Sequence, residues 1–475
     1  MDNETSAFRM GSRTLAALIG AIVVIAAGMV TAPSAQALPP IVEPAPPADS
    51  FYDKPSNLAS LQPGEIVRSR ATTVRSLQLL PVNVDAWQLA YRTKGMNGEP
   101  DMTVTTVMVP RGKKSTKLLS YQAATDSTLR ICQPSYAITR GGPIDLSPAG
   151  PLTFALPGAE MLMAAAGLNQ GWAVAMPDHG GSDNRFLTPR QPGWAVLDGI
   201  RAVENFSRLG MNKSTPVGLM GYSGGAIASS WTIEEQPTYA PELNIRGAAF
   251  GAPERDLEAS LKAVNSSLMA GLIPLALSAL GKDSPEFRAA LDKSLTQGGR
   301  DRVNETRRHC VGQNVVANLW FDYRVNLAKP IEDVLKIPAI RQAIDERGIS
   351  GRIPTVPAYV YNGVTEEVAP ITGTDKLVKS YCDGGASVTY RREELPPNPV
   401  PQLMTTHGTV IVTGVGNALA WLKGRMDSTG PAPKGCDVKT VPTTALEPAA
   451  IETLGQGVGA ILASLVGAPL GAGPR

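Results

Sequence analysis

Gly221-Tyr222-Ser223-Gly224-Gly225 is the only G-x-S-x-G in this chain. So short a pattern arises by chance in a chain with 47 glycines, so its context carries the weight. The apolar run Val217-Gly218-Leu219-Met220 leads into it, and Ala226-Ile227-Ala228-Ser229-Ser230-Trp231 leads out. A strand–turn–helix of this kind holds a serine hydroxyl exposed above the sheet, with small neighbours relieving clashes in the tight turn. The helix that follows points its positive end at a developing oxyanion. The competing reading is an ordinary turn that happens to contain serine, and the flanking runs weigh against it.

A serine hydroxyl is a weak nucleophile and needs a base, usually histidine. The chain has three: His179, His309 and His407. The chain order for such a turn is serine, acid, histidine. His179 precedes the serine, in Pro177-Asp178-His179-Gly180-Gly181, and His309 sits beside Cys310 in a helical stretch. His407, in Thr405-Thr406-His407-Gly408, is expected in a loop between the last strand and the final helix, so it is the candidate base. The acid should leave the preceding strand, and Tyr361-Asn362-Gly363-Val364-Thr365-Glu366-Glu367-Val368-Ala369-Pro370 offers two carboxylates there. Either Glu366 or Glu367 would orient and stabilise the imidazole, with Asp383 a distant third.

These groups need a scaffold. β-type runs at 86–91 and 103–109 flank Asn97-Gly98 and predict a hairpin. Strands are then expected at 117–123, 172–176, 217–220 and 245–250, with helices over 194–209 and from Gly225. That alternation means a mostly parallel sheet covered by helices on both faces. From 253 to 351 the strand signal stops. Ser284-Pro285 reads as an N-cap with proline at the first helical position, and Gly298-Gly299 as that helix's end. This stretch, with the nearly all-apolar run 268–280, is expected to be an all-helical insertion. Strands return at 356–361 and 387–390, and a last helix is expected at 409–425. The expected organisation is residues 1–37 as a leader, 38–80 as a Pro-rich linker and N-terminal segment, and 81–252 with 352–439 as the α/β core. Residues 253–351 form the cap, and 440–475 a small-residue-rich tail.

The composition limits the partners. Net charge is +2 from 44 basic and 42 acidic residues, with no basic stripe, so nucleic acid is not an expected partner. Arg9 and Arg13, the uncharged run 14–30 and Ala35-Gln36-Ala37 predict a secretory signal cut after Ala37. No later run is long and apolar enough to predict a stable membrane span in the mature chain. Cys132, Cys310, Cys382 and Cys436 are an even number in an exported chain, which suggests two disulfides with three pairings open. Their spacings fit neither a zinc site nor CxxC redox chemistry, and neither metal nor organic cofactor is expected.

Several segments together resemble the secretory lipase family. They are Tyr121-Gln122-Ala123-Ala124-Thr125-Asp126-Ser127, Cys132-Gln133-Pro134-Ser135-Tyr136, Pro177-Asp178-His179-Gly180 and Leu197-Asp198-Gly199-Ile200-Arg201-Ala202. The serine turn, Tyr239-Ala240-Pro241-Glu242-Leu243-Asn244-Ile245, Tyr381-Cys382 and the loop from Glu366 to Pro370 belong to the same set. The resemblance implies an α/β-hydrolase fold with a helical cap inserted before the acid, Ser223 as nucleophile and His407 as base. It puts the acid at Glu366, where the family usually has an aspartate. It also implies backbone N–H groups of Asp126 and Gly224 as the oxyanion hole, and disulfides Cys132–Cys310 and Cys382–Cys436. The expected function is a secreted or cell-envelope carboxylester hydrolase, foremost a triacylglycerol lipase, acting on a lipid or ester substrate at a lipid–water interface. The alternatives are an esterase or acyltransferase on short-chain or cell-envelope acyl esters, and a catalytically inactive lipid-binding envelope protein.

Overall fold

The computed structural model describes residues 48–78, 80–139, 155–396, 405–428, 431 and 433–470. The expected leader at 1–37 and the first part of the linker lie outside the described residues.

Ten strands form one sheet: β1 Ile66–Thr72, β2 Val84–Lys94, β3 Pro100–Pro110, β4 Leu118–Gln122, β5 Ala173–Pro177, β6 Val217–Tyr222, β7 Ile245–Gly251, β8 Ala358–Gly363, β9 Val388–Glu393 and β10 Cys436–Val441. Their order is β1-β2-β3-β5-β4-β6-β7-β8-β9-β10. β1 to β3 pair antiparallel and β3 meets β5 antiparallel; from β5 to β10 every pairing is parallel. The β2–β3 hairpin turns where Asn97-Gly98 predicts, with Gly98 at φ 86°. β4, β5, β6 and β8 are buried along their whole length, which is why they read as mostly apolar runs, with Ser120, Gln122 and Asn362 as buried polar exceptions. Helices Gln191–Asn205, Gly224–Tyr239 and Ile371–Asp383 cover one face. Helices Leu156–Asn169 and Thr406–Asp427 cover the other.

Seven α-helices fall between β7 and β8, from Leu257–Val264 to Pro338–Asp345. Ser284 caps Pro285–Ser294 by accepting the Phe287 N–H, as expected. Gly298-Gly299, however, does not end that helix. The chain turns extended at Leu295, and the glycines sit in the first turn of the next helix, Gln297–Glu305. The Thr296 side chain accepts the Gly299 N–H there. The first turn of a helix tolerates glycine because its N–H groups have no intrahelical partners to lose.

Other expectations also shift. The segment 38–80 supplies strand β1, and the expected helix 194–209 is Gln191–Asn205 followed by a 3₁₀ turn, Ser207–Leu209. The final expected helix is neither last nor confined to 409–425. It runs Thr406–Asp427, and β10 and the helix Pro448–Leu465 follow it. The latter packs on Leu156–Asn169 and Thr406–Asp427, so much of the tail belongs to the body. Two disulfides join Cys132 to Cys310 and Cys382 to Cys436. Among the described residues no helix is long and apolar enough to cross a membrane.

Candidate active site

Ser223 is the hinge between β6 and the helix Gly224–Tyr239. Its backbone sits at φ 53°, ψ −122°, where a residue with a Cβ is held only by its surroundings. Its N–H donates to Gly251 O at 3.0 Å, and Ile227 N–H donates to its carbonyl at 3.1 Å. The turn packs directly on the loop that follows β4. A Cβ on Gly225 would lie 1.9 Å from Gln122 O, a backbone atom that cannot step aside.

His407 is not in a loop. It is the second residue of Thr406–Asp427, behind an N-cap in which Thr405 accepts the Gly408 N–H. Its Nδ1 lies 3.0 Å from Glu366 Oε1. A carboxylate accepts only, so Nδ1 carries the hydrogen and Nε2 is left basic. Burial lowers the His407 pKa, but Glu366, then Glu367 and Asp126, more than offset it and hold the ring above its usual value. The neighbour of the serine also fixes this histidine: Tyr222 OH donates to His407 O at 2.7 Å, and the two rings lie 5.0 Å apart. Tyr222 stands in the serine motif, but its role depends on a partner 185 residues away.

Glu366 is buried in the loop that follows β8. Its Oε1 also accepts Val368 N–H at 2.7 Å and Ala369 N–H at 3.3 Å, which folds the side chain back on its own loop. Oε2 is buried with no hydrogen bond. Asn362 braces the loop, donating to Ala369 O at 2.9 Å and Thr374 Oγ1 at 2.8 Å. Glu367 meets the backbone of His407, not the ring, accepting its N–H at 3.5 Å. Asp383 ends its helix at the surface, paired with Lys379.

Asp126, after β4, has φ 42° and is buried. A Cβ on Gly224 would lie 1.9 Å from Asp126 Oδ1, so the two expected oxyanion residues are in contact. Burial pushes the Asp126 carboxyl up to about 6, against the pull of His407 and its own N–H. Ser223, Asp126 and Gly224 line a cavity of about 50 Å³ with Leu272, Ala276 and Glu254. Burial pushes the Glu254 carboxyl up to about 7, and nothing in the sequence pattern marks this residue. His309 lies beside the Cys132–Cys310 bridge, and His179 is bound to Ala123 O, so neither joins the serine.

A parallel sheet carrying a strained serine turn, a histidine–carboxylate pair on later elements and a helical insertion between them defines an α/β-hydrolase. The chain belongs to the secretory lipase family, whose model matches residues 149–433. It is similar to a probable inactive lipase of Mycobacterium tuberculosis, 35% identical over 80% of this chain and 82% of that one. It is also similar to Lipase A of Arthroderma benhamiae, 31% identical over 90% of each. Among solved structures, Candida antarctica lipase A superposes with a TM-score of 0.71 at 25% identity, covering 90% of this chain and 98% of that one. The chain is thus placed among hydrolases that act on esters.

Proposed function

We propose that the chain is an exported serine lipase that hydrolyses acylglycerols through an acyl-enzyme on Ser223. The observation that carries the reading is the Glu366–His407 Nδ1 pair, reached from residues 41 positions apart and bound through Tyr222 to the serine turn. His407 Nε2 takes the Ser223 proton as Oγ bonds to the ester carbonyl carbon. Backbone N–H groups of Asp126 and Gly224 stabilise the oxyanion. The carbon–alkoxy bond breaks, His407 returns its proton to the departing alcohol, and water repeats the sequence to free the acid. The family, the signal-like N-terminus and the two disulfides support export.

The cavity favours a second reading on one point. About 50 Å³ holds a few waters, well below the roughly 300–1,000 Å³ of small-molecule sites. Short-chain or cell-envelope acyl esters therefore remain an alternative unless the cap shifts for a long chain. An ester series from acetyl to oleoyl separates the two, because a lipase gains kcat/KM with chain length while a short-chain esterase peaks early. A relative named as inactive makes turnover itself the first test. A fluorophosphonate should label wild type at Ser223 and leave Ser223→Ala unlabelled. Absence of labelling in wild type would mean a lipid-binding protein that keeps the fold.

A further inference from the structure

Pro177-Asp178-His179-Gly180 is among the segments that carry the resemblance, yet the chemistry above uses none of it. β4 pairs with β6 only as far as Gln122 and with β5 only as far as Ser120. Beyond Gln122 the backbone that leads to Asp126 has no ladder, so its polar groups need other partners. The turn after β5 provides them. His179 Nε2 lies 2.8 Å from Ala123 O, and a carbonyl only accepts, so Nε2 donates. Asn184 Nδ2 donates to Ser127 O at 2.9 Å and to Leu129 O at 2.8 Å. Both side chains are buried. Between them, Ala124 N–H donates to Glu160 Oε1 at 3.0 Å, and Tyr121 OH holds Oε2 at 2.9 Å.

These bonds flank Asp126 on both sides, and Asp126 sits in a left-handed conformation that its surroundings must impose. We propose that His179 and Asn184 are positioning residues that hold the 123–129 backbone so that the Asp126 N–H stays aimed at the oxyanion; the inference rests on the ester-hydrolase reading above. An oxyanion donor works only if it is in place before charge develops. A displacement of about 1 Å costs on the order of 100-fold in rate. Burial lowers the His179 pKa, which favours the neutral ring with Nε2 donating to Ala123 O.

The test uses the full mature chain, with kcat expressed per active site titrated by a fluorophosphonate, so that misfolded molecules drop out. Wild type and Ser223→Ala come first; if wild type shows no serine-dependent turnover, the ester-hydrolase reading fails and this inference with it. If it turns over, His179→Leu, His179→Gln and Asn184→Asp decide. Glutamine places an amide N–H close to the imidazole Nε2 position, while the Asn184→Asp change would turn a carboxylate towards two carbonyls. His179→Leu and Asn184→Asp should each lose about 10- to 100-fold in kcat with KM within about twofold, and His179→Gln should recover most of it. Unchanged kcat per site in the Leu and Asp variants, or a Gln variant as slow as Leu, overturns the proposal while leaving the reading intact. Should His179→Leu fail to fold, Asn184→Asp decides alone: an unchanged kcat per site overturns the proposal.

Discussion

Glu366 reaches His407 with a side chain one methylene longer than an aspartate, and that length has to be accommodated. The N–H groups of Val368 and Ala369 do so, bending the carboxylate back while Oε1 still reaches His407 Nδ1. Glu366→Gln should therefore lower kcat by about 1,000-fold or more, since an amide neither charges the site nor enforces the tautomer. Glu367→Gln, which loses a long contact with the His407 backbone and a smaller share of the charge that raises the ring's pKa, should stay within about tenfold of wild type. The reverse ranking in p-nitrophenyl butyrate turnover would move the acid by one residue. The pH profile gives a second readout. In the proposed mechanism the base works only when neutral, and His407 is held above its usual 6.5, so kcat/KM should fall on the acid side through a pKa above that value. Removing the Glu366 charge lowers the histidine pKa, so the acid limb of the residual Glu366→Gln activity should shift to lower pH.

In the cap, the helix Leu272–Asp283 reads from sequence as apolar nearly all round, which leaves open whether it is cap core or acyl site. The structure divides it by face. Leu272 and Ala276 line the cavity beside Ser223, while Leu275 is fully buried away from it. On the proposed acyl-enzyme reading, a carboxylate at Leu272 would stand in the cavity beside Ser223, where each buried CH₂ of an acyl chain contributes about 0.8 kcal/mol. Leu272→Glu should thus depress long-chain esters while sparing acetyl esters, with a small change in melting temperature. Leu275→Glu buries a charge in the cap's packing and should lower the melting temperature by several degrees or abolish folding. Parallel loss of acetyl and long-chain activity in Leu272→Glu would mean that both faces are structural.

Across the molecule, the disulfides link units that the sheet does not. Cys132–Cys310 joins the segment after β4 to the cap over 178 residues, and Cys382–Cys436 joins a core helix to β10 over 54. In the chain-entropy account each contributes roughly 2–5 kcal/mol, and the longer closure exceeds the shorter by about 1 kcal/mol. A Cys132→Ala, Cys310→Ala pair should therefore unfold at lower guanidinium than the Cys382→Ala, Cys436→Ala pair. The opposite order would show that the cap is held chiefly by its packing on the core, through contacts such as the buried Arg255–Glu234 ion pair.

The serine turn was legible because about ten contiguous residues build it: an apolar strand, small residues at the close approach, and a helix start. The sheet's central strands were legible for a related reason, since burial on both faces leaves mostly apolar runs. β10 was not, because it is an edge strand whose side chains are largely exposed and carry no such run. The helix Pro448–Leu465 read as part of a small-residue-rich tail, because its stability comes from two helices nearly 300 and about 40 residues earlier. Spacing placed His407 near the serine and offered two glutamates, but which carboxylate meets the ring depends on how a loop folds back between β8 and a later helix. Likewise, His179 showed its presence in the sequence but not its partner. Its bond to Ala123 joins the ends of two adjacent strands, and contacts between residues 56 positions apart are set by sheet order and register, which no local pattern encodes.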